Sequence, residues 1–395
     1  MKKLRVGIIG MGNMGGKYAS MIARGEVPLM ELKAVTRAKE EKLKELKELL
    51  LNRKACDENQ ENTLQIFYSA DDLIKAVQEG VLELDAVIIA TPHYLHQEQT
   101  TAAFKAGLHV MCDKPSGVYS RQAREMNEEA ENYNLVYAMM FNQRTSPVFQ
   151  KMKEIAESGI YGRIKRVNWI VTDWYRPDSY YQSGGWRATW AGDGGGTLLN
   201  QCPHNLDLLQ WICGMPARVQ GFCHEGKYHD IEVEDEVTAY MEFDNGATGI
   251  FFASTGEAPG INRLEISMED ALLVCDKGEL KVCELGFHEA EYRKTATDCF
   301  AKLNGQWHNI DCKTIDSQYV EMLKNYAEAI MKRTPLLAKG KEGSKSLLLS
   351  NAIYLSSWKR EMIEIPKEGT EYELEFEKEF EKELSARIKC PDNMS

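Results

Sequence analysis

The sequence lacks several features that mark particular classes of protein. Its ten cysteines include no CxxC or CxxH pair, which argues against a zinc knuckle or a disulfide framework and favours a reducing cytoplasm. No apolar run approaches the roughly 18 residues of a membrane span, and no separate charged and apolar leader precedes the first strand. These absences predict a soluble cytoplasmic protein that does not bind a membrane or hold a metal.

Basic charge is also in short supply. The chain has 48 Lys and Arg residues against 60 Asp and Glu residues, and its formal net charge is -12. Because no basic patch is available to neutralise phosphates, nucleic acid is not expected as a partner. The length of 395 residues, 43% of them hydrophobic, allows a large core and predicts two domains.

The most informative feature that is present is a glycine-rich turn near the N-terminus. Residues 6–9 form an apolar strand, residues 10–16 the turn, and residues 17–22 the start of a helix. In this context the first glycine permits a tight turn, the second lets backbone approach phosphates, and the third lets helix and strand pack closely. An ordinary glycine-rich turn is the alternative to a dinucleotide site. The residues predicted to bind the dinucleotide here are Gly10, Gly12, Asn13, Met14 and Gly15.

The spacing of apolar residues differs between two parts of the chain. In residues 1–140, apolar strands predicted at 5–9, 31–35, 85–90, 109–112 and 135–139 alternate with helical stretches at 39–51, 69–79, 95–106 and 120–133. This alternation is typical of a doubly wound parallel sheet, as in α/β Rossmann dinucleotide-binding domains.

Longer alternating runs follow in residues 141–366, with hairpin turns at 244–246 and 276–278 and two late helices near 317–333 and 343–361. They predict an α+β domain for substrate binding and oligomerisation, with a large open, mainly antiparallel sheet. Residues 367–395 are acidic and charge-dense, and we expect them to form a solvated C-terminal extension. The alternative is that Phe376 and Phe380 dock weakly.

The end of the second predicted strand bears on the choice of cofactor. Dinucleotide folds specific for NAD place an acidic residue about 20 positions beyond the turn, whereas Thr36 and Arg37 stand there in this chain. Thr36 can donate a hydrogen bond to a 2′-phosphate, and Arg37 can pair with it by charge and stack on adenine. The pattern favours NADP(H) over NAD(H). The alternative is NAD(H) beside a solvent-facing Arg37, with Glu40 near the ribose.

Three further segments carry a resemblance to a known family. They are Ala90-Thr91-Pro92-His93-Tyr94-Leu95-His96, Cys112-Asp113-Lys114-Pro115, and the run 194–207 that contains Asn200 and His204. The chain resembles the glucose-fructose oxidoreductase and inositol dehydrogenase superfamily (Gfo/Idh/MocA) over nearly its whole length. It departs from the family pattern at Asp113, where members carry glutamate, and at Asn200, where they frequently carry aspartate.

The resemblance implies roles for individual residues and an oligomer. The implied catalytic residues are Lys114, His204 and Asn200. Those implied beside the cofactor are Thr91, Pro92, His93, His96, Asp113, Lys114, Asn142 and Arg144. The substrate is expected to contact Lys114, Asn200 and His204, together with Trp186, Arg187 and Tyr175 of an aromatic-rich segment, although these aromatic residues can equally serve core or interface packing. The C-terminal sheet is expected to form a homodimer or homotetramer.

The chemistry of alcohol oxidation asks for the same groups. A base must take the hydroxyl proton, which suits His204 because histidine titrates near neutral pH, and an ammonium such as that of Lys114 stabilises the developing alkoxide. We therefore predict an NAD(P)-dependent oxidoreductase that exchanges hydride with a secondary alcohol of a sugar, glycoside or cyclitol. One alternative is redox-neutral glycoside cleavage through transient C3 oxidation and elimination. Another is a non-catalytic NAD(P)-binding sensor or partner subunit.

Overall fold

The computed structural model of the protein describes residues 3–54 and 64–388, and two sheets organise them. The strands are β1 Leu4–Ile9, β2 Met30–Thr36, β3 Gln65–Phe67, β4 Ala86–Ile89, β5 His109–Cys112, β6 Tyr137–Met139, β7 Ile164–Val171, β8 Arg218–Glu225, β9 Glu234–Glu242, β10 Thr248–Ser254, β11 Asn262–Met268, β12 Ala271–Asp276, β13 Glu279–Glu284, β14 Gln306–Ile310 and β15 Ile363–Glu364.

Twelve α-helices complete the described elements. They are α1 Asn13–Arg24, α2 Glu40–Lys54, α3 Ala70–Gln78, α4 His96–Lys105, α5 Ser120–Tyr133, α6 Pro147–Ser158, α7 Asp178–Tyr181, α8 Pro203–Cys213, α9 Glu289–Thr295, α10 Gln318–Lys332, α11 Gly343–Lys359 and α12 Glu371–Arg387. A π-helical turn, Thr197–Gln201, precedes α8.

The first compact unit comprises Met1–Thr145 and Asp316–Leu347. Its six strands lie in the order β3-β2-β1-β4-β5-β6, and every neighbouring pair is parallel. The central strand β4 is buried at all four residues, as its apolar sequence requires. The doubly wound parallel sheet predicted from the sequence is confirmed. Strand order reverses between β1 and β4, and in such sheets the loops after the carboxyl ends of the strands at this point hold ligands.

The second unit comprises Ser146–Ile315 and Leu348–Ser395. Its nine strands lie in the order β14-β13-β12-β11-β7-β10-β9-β8-β15. Only β7 and β10 pair in parallel, so the sheet is mixed and mainly antiparallel, as predicted. Both predicted hairpins are present, and their turns use Gly246 and Gly278 at φ values of 83° and 81°, which other residues rarely adopt.

The two faces of this sheet differ in burial. On β7, Val167, Trp169 and Val171 are fully buried. The intervening residues point to the other face, where Ile170 on β7 and Ile250 on β10 are 37% and 45% exposed. The alternation follows from the period of two along a strand. It leaves the second face of the sheet open, with apolar side chains on it.

The expectation of a solvated C-terminal extension is wrong for α12. Phe376, Phe380 and Leu384 are buried, and the Phe380 ring stacks on Trp358 with a centroid distance of 5.4 Å. These three residues recur every four positions, which places them on one face of the helix. The abundant glutamates conceal this stripe in a reading by composition. Residues 389–395 of the predicted extension lie outside the described residues.

Candidate functional site

The glycine turn between β1 and α1 is built so that two of its glycines serve the fold and one faces open space. A Cβ on Gly10, which has a φ of 92°, would lie 2.6 Å from the backbone of Ala90. A Cβ on Gly15 would lie 1.8 Å from the Gly10 carbonyl oxygen. A Cβ on Gly12 would meet nothing within 4 Å. The bare backbone of Gly12, next to Asn13 and Met14 at the N-terminus of α1, therefore offers room for phosphates.

The end of β2 braces this turn and adds positive charge. The Thr36 hydroxyl accepts a hydrogen bond of 2.9 Å from the Gly10 N–H. A groove of about 630 Å³ is lined by Met11, Gly12, Arg37, Ala38, Lys39, Glu40 and Leu43. The ammonium of Lys42, which the sequence analysis did not single out, lies 2.6 Å from the Gly12 carbonyl oxygen. Thr36 therefore supports the turn, and Arg37 and Lys39 line the adjacent groove.

The His96 side chain connects the loops that follow β4 and β5. Its two ring nitrogens lie 2.8 Å and 2.9 Å from the carbonyl oxygens of Pro115 and Thr91. The side chain is 1% exposed, and burial lowers the pKa of His96. His96 therefore connects the two loops, and the cofactor contact expected of it stays a prediction. His93 lies beside it, with ring centroids 6.0 Å apart.

Lys114 lies two residues after the end of β5, and the side chain of Asp113 fixes its backbone. The Asp113 carboxylate accepts hydrogen bonds from the Lys114 N–H at 2.9 Å and from the Tyr18 hydroxyl at 3.1 Å. Burial raises the pKa of Asp113, and the neighbouring Lys114 charge opposes that rise. Asp113 thus positions the backbone of Lys114, and the cofactor contact expected of Asp113 stays a prediction. Lys114 itself is half-buried.

Asn142 and Arg144 lie on one short turn but differ in what they offer a ligand. The Asn142 amide donates to Gln318 at 2.9 Å, whereas its buried Oδ1 has no hydrogen-bond partner in the described part of the chain. A buried acceptor without a donor is costly, so this atom suits a donor on a bound ligand. Arg144 is fully buried and pairs with Glu342 at 2.9 Å, and the cofactor contact expected of it stays a prediction.

A dinucleotide fits the first unit on two structural grounds. Open space adjoins the phosphate-binding turn at Gly12, and the Asn142 acceptor lacks a donor among the described residues. The residues that would hold NAD(P) are those of the turn together with Thr91, Pro92, His93 and Asn142. Arg37 would lie at the end of the adenosine ribose by its position after β2.

In the second unit, Asn200 and His204 come from consecutive turns of the chain. Asn200 lies on the π-helical turn, and His204 lies on the first turn of α8, after Pro203. The Asn200 amide donates to Asp193 at 2.9 Å and accepts from the Tyr180 hydroxyl at 3.3 Å. Single π-helical turns occur frequently at functional sites. The structure thus holds the Asn200 side chain in one orientation near the buried His204.

Tyr180, which the sequence analysis did not select, joins Arg187 to Asn200. Its hydroxyl accepts from Arg187 at 3.1 Å and from Gln201 at 3.3 Å while it donates to Asn200. Trp186 lies under the Arg187 guanidinium, 4.6 Å from ring centroid to Cζ. Tyr175 is 50% exposed, and only its backbone carbonyl contacts a neighbouring arginine. The aromatic-rich composition of this segment is the signal that could have identified Tyr180.

Glu234 binds the backbone of the π-helical turn, and the sequence analysis did not identify it. Its carboxylate accepts from the backbone N–H groups of Gly196 at 2.9 Å and Leu198 at 2.8 Å, and from the Tyr354 hydroxyl at 2.7 Å. Burial raises the pKa of Glu234 to about 7. These partners lie 36 to 120 residues away in sequence, so no local pattern reveals the arrangement.

Glu234 should give protein stability a measurable dependence on pH. Between its usual pKa of 4.5 and about 7 the folded protein holds a proton that the unfolded chain has released. The free energy of unfolding therefore falls as pH rises through this range. We expect Glu234→Gln to remove that part of the slope, measured by urea denaturation at pH 5 and pH 8. Tyr354→Phe, which deletes a donor to the carboxylate, should extend the slope to higher pH. An unaltered slope in Glu234→Gln contradicts this account.

Two features are absent from the described ranges. Residues 3–54 and 64–388 contain no cluster of three metal-ligating side chains. Over the same ranges, no helix is long and apolar enough to cross a bilayer.

Comparison with known proteins places the two halves of the chain in one family. Residues 4–141 match the model of the oxidoreductase family with an NAD-binding Rossmann fold, GFO/IDH/MocA, and residues 149–274 match a GFO/IDH/MocA C-terminal domain. Over 195 residues the chain is 31% identical to 1,5-anhydro-D-fructose reductase of Ensifer adhaerens, covering 46% of this chain and 57% of the reductase.

Two further relatives extend over most of the chain. Myo-inositol 2-dehydrogenase of Thermotoga maritima is 23% identical over 355 residues, which is 88% of this chain and 95% of that enzyme. The structure of a levoglucosan dehydrogenase in complex with NADH and L-sorbose has a TM-score of 0.73 at 21% identity and covers 92% of this chain and 99% of that one. Relatives of this kind favour neither redox-neutral cleavage nor a non-catalytic sensor. The chain belongs to the GFO/IDH/MocA family of oxidoreductases, with an NAD-binding Rossmann fold in its N-terminal part.

Proposed function

We propose that this oxidoreductase exchanges hydride between NAD(P) and a secondary alcohol of a sugar, glycoside or cyclitol. The observation that carries the proposal is the Asn200 amide, held between Asp193 and Tyr180 next to His204. A fixed amide beside a histidine suits a substrate hydroxyl that must be oriented and deprotonated. The reductase and inositol dehydrogenase named above act on substrates of this chemical class, which supports the same choice.

The residues divide the work between binding and proton movement. NAD(P) supplies the redox chemistry when bound. His204 takes the hydroxyl proton as general base, and Asn200 orients that hydroxyl. Lys114 stabilises the negative charge that develops on the substrate oxygen. Asp113 contributes by holding the backbone N–H of Lys114.

Absorbance at 340 nm tests the proposed function directly. Purified protein is mixed with NAD⁺ or NADP⁺ and a panel of inositols, aldoses, amino sugars and glycosides. Reduced cofactor with one substrate class supports the proposal. Nucleotide binding without turnover over the whole panel opposes it, and aglycone released without added cofactor identifies glycoside cleavage instead.

We further propose that NADP(H) is preferred, because Arg37 and Lys39 line the groove beside the glycine turn. Arg37→Asp should weaken the binding of NADP(H) relative to that of NAD(H) by about tenfold or more, since a carboxylate repels a 2′-phosphate. Nucleotide fluorescence titrations with NADH and NADPH measure the ratio of the two dissociation constants. Lys47→Asp, the same charge reversal at an exposed position of α2, serves as control. An unchanged ratio in Arg37→Asp removes the argument.

We also propose a homodimer or homotetramer formed through the open face of the second sheet, in a reducing cytoplasm. Phe222, Ile250 and Ile170 are 53%, 45% and 37% exposed on that face, and such apolar surface commonly marks an interface. The eight cysteines of the described ranges are free, which supports a reducing compartment. We expect light scattering to give a multiple of the 44.9 kDa chain mass and Ile250→Glu to give the monomer. A monomeric parent protein would contradict the proposal.

A further inference from the structure

Two arginines lie against one tyrosine ring in the second unit. The guanidinium carbons of Arg176 and Arg187 are each 4.8 Å from the centroid of the Tyr180 ring. Each arginine also contacts a tryptophan, Arg176 at 5.3 Å from Trp174 and Arg187 at 4.6 Å from Trp186. Aromatic rings therefore hold both guanidinium groups in place.

Neither guanidinium has a carboxylate partner among the described residues. Within the described ranges, the Arg176 side chain donates one hydrogen bond, to the Tyr175 carbonyl oxygen at 3.3 Å. The Arg187 side chain also donates one, to the Tyr180 hydroxyl at 3.1 Å. The Arg176 Nε is buried and has no hydrogen-bond partner in the same ranges. A guanidinium has five N–H donors, so the described residues accept from only a minority of the donors of the pair.

This lack of partners is unusual for the second unit of an acidic chain. Arg163 pairs with Glu269 at 2.9 Å, and Arg263 pairs with both Glu265 and Asp276. The acids nearest to Arg176 in sequence, Asp173 and Asp178, form no ion pair with it within the described residues. An oxyanion from outside the chain would satisfy donors that the protein leaves open.

The pair is connected to the candidate substrate site through one hydroxyl. Arg187 donates to the Tyr180 hydroxyl, which donates in turn to the Asn200 amide oxygen. The Asn200 amide is the group that we assign to the reacting hydroxyl. An anion held by the arginines would therefore belong to the same small molecule whose hydroxyl meets Asn200.

We propose that Arg176 and Arg187 bind an oxyanion of the substrate, so that the sugar acted on is an acidic one. The oxyanion is the carboxylate of a uronic acid or the phosphate of a sugar phosphate, both of which match the planar guanidinium fork. The inference rests on the proposed function, since it takes Asn200 as the contact of the reacting hydroxyl. It adds a charge requirement that the neutral sugars and cyclitols of the general proposal do not have.

The test is equilibrium binding with dinucleotide present, which does not depend on turnover. Calorimetry compares three probes that share one sugar ring, namely methyl β-D-glucopyranoside, methyl β-D-glucopyranosiduronate and glucose 1-phosphate. We expect at least one anionic probe to bind about tenfold or more tightly than the neutral glycoside, and the arm that does so identifies carboxylate or phosphate. Arg176→Gln and Arg187→Gln should each remove that advantage. Arg163→Gln, at a surface arginine with its own partner, should retain it.

The outcomes separate this inference from the proposed function. Equal affinity for neutral and anionic probes, an advantage that survives both arginine substitutions, or no binding of either anion overturns the inference. Oxidation of neutral sugars in the absorbance assay, with the same rate in both arginine variants, also overturns it while the proposed function stands. Arginine-dependent anion binding without any turnover supports the inference while the proposed function fails.

Discussion

Lys114→Ala is expected to lower kcat by about a thousandfold while the dissociation constant for the dinucleotide changes by less than about threefold. Lys114 follows β5 at the carboxyl edge of the parallel sheet, and the Asp113 carboxylate fixes its backbone N–H. The lysine ammonium acts on charge that develops only during reaction, so its loss affects turnover more than binding. Steady-state kinetics and nucleotide fluorescence titration measure the two quantities.

The same result is expected for His204→Ala, because a general base contributes about 10²–10⁴ to the rate. Lys75→Ala, at an exposed lysine of α3, is the control and should leave kcat unchanged. If either alanine variant loses dinucleotide affinity in proportion to its loss of turnover, the assignment of that residue to the substrate is wrong.

Gly12→Val should abolish measurable dinucleotide binding, with a loss of at least about a hundredfold, while the protein stays folded. A side chain at this position meets no protein atom within 4 Å and therefore occupies space left for the phosphates. The melting temperature should fall by only a few degrees, because valine is a poorer N-cap residue than glycine. Titration with NADPH and a thermal melt test both expectations.

Two other glycines calibrate this result. Gly185→Val, in the second unit, also meets nothing within 4 Å and should retain dinucleotide binding. Gly15→Val should damage the fold, because its Cβ would lie 1.8 Å from the Gly10 carbonyl oxygen. Full dinucleotide affinity in Gly12→Val would show that the phosphates bind elsewhere.

The sequence predicted the elements whose burial is evident from the apolar residues within them. Strands such as β4 are buried on both faces, and their continuous apolar runs indicate this directly. On α12 the sequence offered Phe376 and Phe380 as docking residues, but the glutamates between them dominate the composition and favoured a solvated extension instead. Hydrophobic periodicity was the better guide in this segment.

The site was predictable as a set of motifs but not as a set of contacts. Lys114, Asn200 and His204 were found from their segments. The ion pair of Arg144 could not be predicted from its segment, since its partner Glu342 lies 198 residues further along the chain. Glu234 belongs to no motif, and Tyr180 was visible only as one member of an aromatic-rich segment. Only tertiary contacts bring these two residues to the residues that they support.

The return of Asp316–Leu347 to the first unit has a consequence for synthesis on the ribosome. Arg144 emerges 198 residues before Glu342, a carboxylate with which it pairs in the folded core. Domains usually fold in order from the N-terminus as they are made, but this one includes a segment, Asp316–Leu347, that is made only after the first 315 residues. The first unit, although most of it precedes the second unit in sequence, can finish folding only after Asp316–Leu347 has been made.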